Sequence, residues 1–258
     1  MREKPKQTKY VLSTTVQKAF KILECIGKNQ PIIPVEIQRH VNFNKGDVHR
    51  LIATLESIGY VRKISSGYVL SFKMHALGQT VAKESELLQI AKPHMENLSN
   101  EIQHNISLLV IEKNRVVRIY QHEYPTDLKV LQEKEVTFPL NCSATGKLFL
   151  SFVDQDDLLQ LIDEIKLVRK TKYSIADKDK LIEEVSKIRQ RGYSTEIKES
   201  SEFMHCMAVP IFDEENRLLA SLSITSPSFT FPLEDFERFL PKLKETSMKI
   251  SSELRIEF

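Results

Sequence analysis

Two short amphipathic segments joined by a very short connection constrain the fold of this chain more than any other feature. The first spans residues 34–41, and after Asn42-Phe43 the second begins at Lys45. In the second segment, apolar residues recur at helical spacing and predict one buried face, formed by Val48, Leu51, Ile52, Leu55 and Ile58. Asn44 can cap this helix, with Asp47 three residues on as in a capping box. Two helices joined this tightly are typical of a helix-turn-helix, whose second helix enters the major groove of DNA.

The residues around this helix pair support DNA binding. Residues 60–64 and 68–70 read as strands around the turn Ser65-Ser66-Gly67, so a hairpin, or wing, follows the second helix. For the helix pair alone, an ordinary αα-hairpin buried in a core is an equal alternative, and the wing favours the DNA-binding interpretation. The polar positions of the second helix and of the wing predict a DNA-contacting set, which is Lys45, His49, Arg50, Thr54, Arg62 and Lys63.

The distribution of charge also favours a nucleic-acid-binding N-terminal domain. Residues 1–80 contain 13 Lys and Arg against 5 Asp and Glu, whereas the remainder contains 24 against 30. A basic N-terminal third on an acidic body predicts a DNA-binding domain attached to a separate regulatory domain. No N-terminal apolar segment has the length of a signal peptide or membrane span, so we expect a cytoplasmic protein without a membrane partner. An odd count of three cysteines argues against a disulfide framework.

The rest of the chain predicts an α+β fold. A first helix is expected over residues 14–27, capped by Thr14 or Thr15, ended by Gly27, and with Val16 and Phe20 among its buried residues. Helices are also expected at residues 74–82, 87–103 (kinked or restarted at Pro93), 144–153, 155–165, 178–191 and 233–254. Strands are expected at residues 106–111, 116–120, 128–131, 193–197, 206–212 and 218–225, with hairpin turns at Asn114 and Asn216. This order predicts a mainly antiparallel sheet.

The chain as a whole resembles the IclR family of bacterial transcriptional regulators. The resemblance covers about residues 16–252 and lies in four pieces, which are residues 48–56 with Gly59-Tyr60-Val61, residues 138–147, Gly192-Tyr193 with Glu196 and Glu199, and residues 206–213 with 220–224. It implies a winged helix-turn-helix at residues 1–73, a linker helix at 74–90, and a GAF-like effector-binding domain at 91–258. It also implies double-stranded operator DNA and a small-molecule effector as partners, and a homodimer or homotetramer.

Matching positions imply an effector site at Ala144, Thr145, Glu196, Cys206, Ser223 and Thr225. Ala144 and Thr145 lie at the expected start of a helix, where unpaired N–H groups suit a carboxylate. Ser223 and Thr225 share one face of a strand and offer hydroxyls. A buried structural thiol is the alternative for Cys206. Leu128 and Leu131 either wall the pocket or pack in the core. By analogy with the family, an organic or aromatic acid is the expected ligand class.

Three positions depart from the family pattern. The family commonly has His where this chain has Asn141, Gly where it has Phe203, and a Ser/Thr pair where it has Gly46-Asp47. Phe203 would narrow the pocket or cap an aromatic ligand. Asp47 would repel DNA phosphate unless it is occupied as a helix cap. The effector, the operator sequence, the sign of regulation and the choice between dimer and tetramer therefore stay open.

Motifs for catalysis, cofactors and metals are weak, so we expect no enzyme, no cofactor and no metal site. Gly146-Lys147 resembles the end of a phosphate-binding loop, but the first glycine would fall at Asn141 and Leu148 replaces Ser/Thr. His205 and Cys206 are neighbours on an expected strand, so they face opposite ways and cannot pair as base and nucleophile. The alternative is a small-molecule-binding or enzymatic module with a vestigial DNA-binding domain.

Overall fold

The computed structural model describes residues 11–83, 86–125 and 136–254. The chain divides into two compact units, and the boundary between them falls between residues 84 and 85. This boundary lies inside the segment 74–90, for which the role of linker helix stays a prediction. Every strand pairing among the described residues is antiparallel, and the predicted α+β class with a mainly antiparallel sheet is confirmed.

The first unit is a winged helix-turn-helix. Its elements are α1 (Thr14–Asn29), α2 (Pro34–Val41), α3 (Lys45–Ser57), β1 (Val61–Ile64), β2 (Gly67–Leu70) and α4 (Phe72–Lys83). Asn42 adopts the left-handed conformation that ends α2, and Asn44 caps α3, so the turn between the two helices is three residues long. Ile32 and Tyr68 exchange backbone hydrogen bonds of 3.1 and 2.8 Å, which tie the wing to the segment before α2.

The predictions for α1 need correction. Its N-cap is Ser13, not Thr14 or Thr15, and the helix continues past Gly27 to Asn29. Val16 and Phe20 were expected to be buried, but they are 53% and 58% exposed. The buried residues of α1 all lie between Ile22 and Ile26. The core shared with α2, α3 and the wing therefore covers only the second half of α1, and it includes Cys25.

The second unit is a six-stranded sheet with helices on both faces. Its strands are β3 (Ile106–Glu112), β4 (Arg115–His122), β5 (Thr137–Phe138), β6 (Ser194–Ile197), β7 (Met204–Phe212) and β8 (Leu218–Pro227), in the order β5-β4-β3-β8-β7-β6. Its helices are α5 (Glu86–Ile102), α6 (Ala144–Leu150), α7 (Gln155–Glu164), α8 (Lys178–Arg191) and α9 (Glu234–Glu253). One face of the sheet contacts α5 and α9, and the other contacts α6, against which α8 packs.

Local sequence signals account for most boundaries in this unit. Asn114 and Asn216 have positive φ values of 60° and 57° at the two predicted hairpin turns, and Gly192 ends α8 in the left-handed region. α5 continues through Pro93 without a break, so the predicted restart at this residue was wrong, and the alternative of a kink stays a prediction. The predicted helix 144–153 is shorter and ends at Leu150. The predicted strand 128–131 lies outside the described residues.

In the described part of the chain, no helix combines the length and the apolar character that crossing a membrane requires.

Candidate functional site

Helix α3 exposes its polar face on the surface of the first unit. Its apolar positions Val48, Leu51, Ile52 and Leu55 are buried, as the spacing predicts, and they fix the helix against α1 and α2. The predicted burial of Ile58 was wrong, because this residue is the C-cap that follows the helix and it is 49% exposed. The four residues predicted to contact DNA from α3 are all exposed, and they are Lys45, His49, Arg50 and Thr54. The hydroxyl of Thr54 donates to the carbonyl of Arg50 over 2.9 Å.

Asp47 is held by two cations at the start of α3. Its carboxylate lies 2.7 Å from Lys18 Nζ and 2.7 Å from an Arg50 guanidinium nitrogen. Asn44 Oδ1 accepts from the Asp47 backbone N–H over 2.7 Å, and Asn44 Nδ2 donates to the Asp47 carboxylate over 3.1 Å. The Lys18 hydrogen bond lowers the pKa of Asp47, and the Arg50 charge adds to the effect. Asp47 is therefore an occupied part of the cap, and its charge is offset in the surface that α3 presents. Sequence reasoning missed Lys18 because it lies 29 residues away.

The wing presents its two predicted contacts on different faces. Arg62 and Lys63 are both exposed and consecutive on β1, so their side chains point to opposite sides of the ribbon. The Arg62 guanidinium lies 5.9 Å from the centre of the Phe72 ring. A DNA backbone that contacts one face of the wing would therefore not meet Arg62 and Lys63 in the same way.

A cavity of about 370 Å³ lies in the second unit, on the α6 side of the sheet. All six residues implied as effector contacts line it, which are Ala144, Thr145, Glu196, Cys206, Ser223 and Thr225. The antiparallel register explains why distant residues meet there. Ser107 lies opposite Ser223, Thr225 opposite Cys206, and Cys206 opposite Glu196. The result is a polar band across four neighbouring strands.

Glu196 is a saturated acceptor in this band. Its side chain is fully buried and accepts from the backbone N–H groups of Glu199 and Ser200 over 2.5 and 3.0 Å. The hydroxyl of Ser200 and the thiol of Cys206 also donate to it, over 3.1 and 2.9 Å. Glu196 therefore fixes the loop between β6 and β7 over the cavity, and four donors match its ionised form.

The cysteines of the second unit are protonated thiols. Burial raises the pKa of Cys206 well above its usual value, and the neighbouring Glu196 charge raises it further. Burial raises the pKa of Cys142 to about 12. Neither residue has the thiolate character of a catalytic nucleophile.

Sequence reasoning did not anticipate several lining residues, among them a cation and aromatic side chains. Arg118 and Gln121 come from β4, and Phe138 from β5. Phe229 also lines the cavity and is 67% exposed. Phe203, which the sequence had already placed at the pocket, lines it with 71% of its surface exposed. The remaining lining residues that sequence reasoning missed are Ser107, Leu109, Ser143, Ser200, Ser201, Met204 and Pro227. The sequence contained one signal for Arg118 as a lining residue, which is its position inside the apolar run 116–120. The expected wall residues Leu128 and Leu131 lie outside the described residues.

Asn141, which stands where the family commonly has His, has a structural role. Its amide donates to the carbonyls of Val168 and Ile175, both over 2.8 Å, and its oxygen accepts from the Val168 N–H over 3.1 Å. Asn141 is buried and holds the segment that follows α7. It does not line the cavity.

The histidines are engaged separately. His104 contacts Ser226 over 2.9 Å, and His205 contacts the carbonyl of Phe231 over 2.8 Å on the α9 side of the sheet. In the described ranges, no group of three or more His, Cys, Asp or Glu is arranged to hold a metal ion.

Family models match most of the chain. A model described as the IclR helix-turn-helix domain matches residues 15–65, and a model described as the bacterial transcriptional regulator IclR C-terminal domain matches residues 79–252. The HTH-type transcriptional regulator KdgR of Escherichia coli is 28% identical over 243 residues, which cover 93% of this chain and 92% of that protein.

Solved structures share the fold. The Thermotoga maritima IclR is 28% identical, with a TM-score of 0.72 over 93% of this chain and 98% of that one. An IclR homologue from Microbacterium hydrocarbonoxydans, in complex with 4-hydroxybenzoate, has a TM-score of 0.75 at 20% identity. It covers 94% of this chain and 99% of its own. At this identity the second likeness shows the fold alone.

Proposed function

The chain belongs to the IclR family of bacterial transcriptional regulators, and we propose that α3 and the wing bind operator DNA while the cavity of the second unit binds the effector that alters this binding. It is a regulator with a helix-turn-helix domain and a C-terminal ligand-binding domain. One observation carries the proposal. The exposed cationic face of α3 and the cavity that contains the polar band lie in separate units of one chain.

We propose that Lys45, His49, Arg50 and Thr54 meet the major groove or its phosphates, with Arg62 and Lys63 on the wing. Binding is tested by fluorescence anisotropy on duplexes tiled across the upstream region of the gene, at two salt concentrations, with scrambled DNA as control. A specific regulator binds one fragment at least ~10³-fold more tightly than scrambled DNA. Equal and steeply salt-dependent binding to every duplex means phosphate attraction alone and favours a vestigial DNA-binding domain.

Arg50→Ala is the sharpest variant for the DNA surface. We expect it to lower operator affinity more than tenfold, since a bidentate base contact or a charged phosphate contact is worth about 1–3 kcal/mol. Folding should be preserved, because Asp47 keeps Lys18 as its partner. Lys28→Ala, which removes an exposed cation at the end of α1, is the matched control. An operator affinity equal to that of the Lys28→Ala variant would remove Arg50 from the interface.

We propose a small organic acid, aromatic or hydroxylated, as the effector, bound by Ala144, Thr145, Glu196, Cys206, Ser223 and Thr225 without turnover. Hydroxyl groups of the polar band and the phenyl rings of Phe138, Phe203 and Phe229 suit such a molecule. The homologue with 4-hydroxybenzoate supplies a first probe, and the matched family consists of regulators rather than enzymes.

We propose that the protein acts as a homodimer or a homotetramer. Two-fold pairing doubles the base pairs that one winged helix reads. Val16 and Phe20 form an exposed apolar stripe on α1 that suits contact with a second copy. Sedimentation analysis gives the assembly size, and a Phe20→Lys variant that stays fully associated and binds operator normally would move the interface elsewhere.

A further inference from the structure

We propose that Arg118 binds the acidic group of the effector and thereby sets both its orientation and the preference for an acid. The inference rests on the proposed effector function of the cavity and assigns a residue outside the six family-implied contacts. It follows from the positions of the positive and negative side chains in the cavity wall and from the strand register that places Arg118 there.

Two lining residues among those described carry a full charge, and they are Arg118 and Glu196. The Glu196 carboxylate is already saturated by four donors from the protein. An acid placed beside Glu196 would be repelled by its negative charge, and the four donors around Glu196 are already used by its carboxylate. The neighbouring Cys206 thiol already donates to Glu196. The β6 end of the cavity therefore disfavours an anion and suits a neutral polar group.

The short helix α6 does not replace Arg118 as an anion site. It has seven residues, and the Ser143 hydroxyl accepts from the Gly146 backbone N–H over 3.1 Å, so part of its N-terminal donor capacity is used. Arg118 on β4 is therefore a stronger site for the carboxylate than the expected position at Ala144 and Thr145.

A β-bulge delivers Arg118 to the cavity. Ser107 pairs with Gln121 and Leu109 pairs with Arg118, and all four residues line the cavity. One residue, Leu108, lies between the partners on β3, but two residues, Ile119 and Tyr120, lie between those on β4, so β4 contains one extra residue there. With regular pairing, Ile119 would lie opposite Leu109 in place of Arg118. Bulges commonly redirect a side chain in this way beside a binding site.

The surroundings of Arg118 favour an anionic ligand. The guanidinium lies 5.8 Å from the centre of the Phe138 ring and next to Leu109 in the cavity wall. Burial lowers the pKa of Arg118, and the Glu123 charge opposes this change. The group stays charged at neutral pH, and its five N–H donors allow a carboxylate to bind beside contacts with the protein.

The arrangement defines the ligand class as a monoacid. Four strand spacings separate β4 from β6, roughly 19 Å along the sheet, so a molecule can meet Arg118 while its remainder stays among the hydroxyls of Ser107, Ser223 and Thr225. A second acid group reaching toward Glu196 would be repelled. An amine or a neutral amide offers no carboxylate for Arg118 to bind.

The test compares acids with their neutral amides on the full-length protein. The probes are 4-hydroxybenzoate, lactate and gluconate with 4-hydroxybenzamide, lactamide and gluconamide, and terephthalate as a diacid. Calorimetric titration at pH 7.5 is applied to the wild type, Arg118→Gln, Arg118→Lys and Arg115→Gln. Arg115 is an exposed arginine of the same strand that does not line the cavity. Thermal unfolding without ligand establishes that each variant is folded.

We expect the wild type and Arg115→Gln to bind one acid at least tenfold more tightly than its amide. Arg118→Gln should remove this preference, with about a tenfold to hundredfold loss for the acid, and Arg118→Lys should keep part of it. Terephthalate should bind more weakly than 4-hydroxybenzoate.

An acid preference that survives in Arg118→Gln overturns the inference. If Ser223→Ala weakens the same acid in that case, the proposed effector site stands and the role of Arg118 alone fails. If every acid and every amide leaves the wild type unbound, the proposed effector class and the inference fail together.

Discussion

At the scale of single residues, the second unit contains a buried ion pair, Lys147 and Glu199, that lies close to the cavity but does not line it. The Lys147 side chain is 1% exposed and its ammonium forms an ion pair with Glu199, which is 6% exposed. Neither residue lines the cavity. Burial raises the pKa of Glu199 to about 6, and Lys147 opposes this change. The pair joins α6 to the loop that Glu196 also holds, so its role is structural.

Removing one member of this pair should cost more than removing both. We expect Lys147→Met to destabilise the protein by about 3–5 kcal/mol, because it leaves the Glu199 carboxylate buried without its cation. The double variant Lys147→Met/Glu199→Met should recover most of that loss, since neither charge is then desolvated. Urea unfolding measures both values. A single variant as stable as the wild type would show that water reaches Glu199.

At Gly146 the start of α6 approaches the backbone of Leu140 closely. A Cβ at this position would lie 2.3 Å from the carbonyl oxygen of Leu140, where rigid backbone leaves no room. We expect Gly146→Ala to destabilise the second unit by more than about 3 kcal/mol, at the upper end of the usual range. Gly78→Ala is the control, since its Cβ meets nothing within 4 Å in α4, and it should stabilise that helix by up to about 1 kcal/mol. Equal melting temperatures for the two variants would contradict the close approach.

At the scale of elements, the cap of α3 joins the stability of the DNA-binding unit to the orientation of its cations. Asn44 accepts from the Asp47 N–H and donates to the Asp47 carboxylate, which in turn holds Arg50. The first turn of α3 is thereby fixed before DNA is present. Preorganised contacts lose less conformational entropy on binding.

Asn44→Ala should therefore affect both folding and binding. We expect a loss of about 1 kcal/mol in stability, the usual cost of an N-cap asparagine, together with weaker operator binding. Ser57→Ala at the other end of α3 removes an exposed hydroxyl hydrogen bond to Thr54 and should change neither by much. Chemical denaturation and anisotropy supply the two measurements. An operator affinity that falls equally in both variants would mean that the cap does not orient Arg50.

Elements were predictable where a local signal defines them, and less so where packing decides. The cap Asn44 and the turns at Asn114 and Asn216 were identified from residue type. The burial of Val16 and Phe20 was predicted wrongly, because periodicity marks an apolar face but does not say how far the partner helices extend.

The cavity shows the same limit. The family resemblance supplied six residues that now line it together, yet it could not supply Arg118. A single extra residue in β4 decides whether Arg118 or Ile119 faces inward. The sequence of β4 is compatible with either residue facing inward, and only the register of β4 against β3 distinguishes the two arrangements.

At the scale of the whole molecule, regulation requires a coupling free energy between two units that each have a core of their own. An effector shifts operator binding only through its difference in affinity for the two functional states. Thermodynamic linkage makes the effect reciprocal, because an acid that changes operator affinity by some factor must itself bind operator-loaded protein with affinity changed by the same factor.

Typical couplings of about 5- to 150-fold are the expected range here. Operator affinity is measured by anisotropy with and without a saturating acid, and acid affinity by calorimetry with and without a saturating operator duplex. Ser223→Ala should weaken the acid and leave operator binding without acid unchanged, because Ser223 lies in the wall of the cavity and not in the first unit. At saturating acid, we expect the variant to change its operator affinity by the same factor as the wild type. This result would identify Ser223 as a residue that binds the effector and does not transmit its signal. A Ser223→Ala protein that saturates with acid but no longer changes its operator affinity would place Ser223 in the transmission step instead.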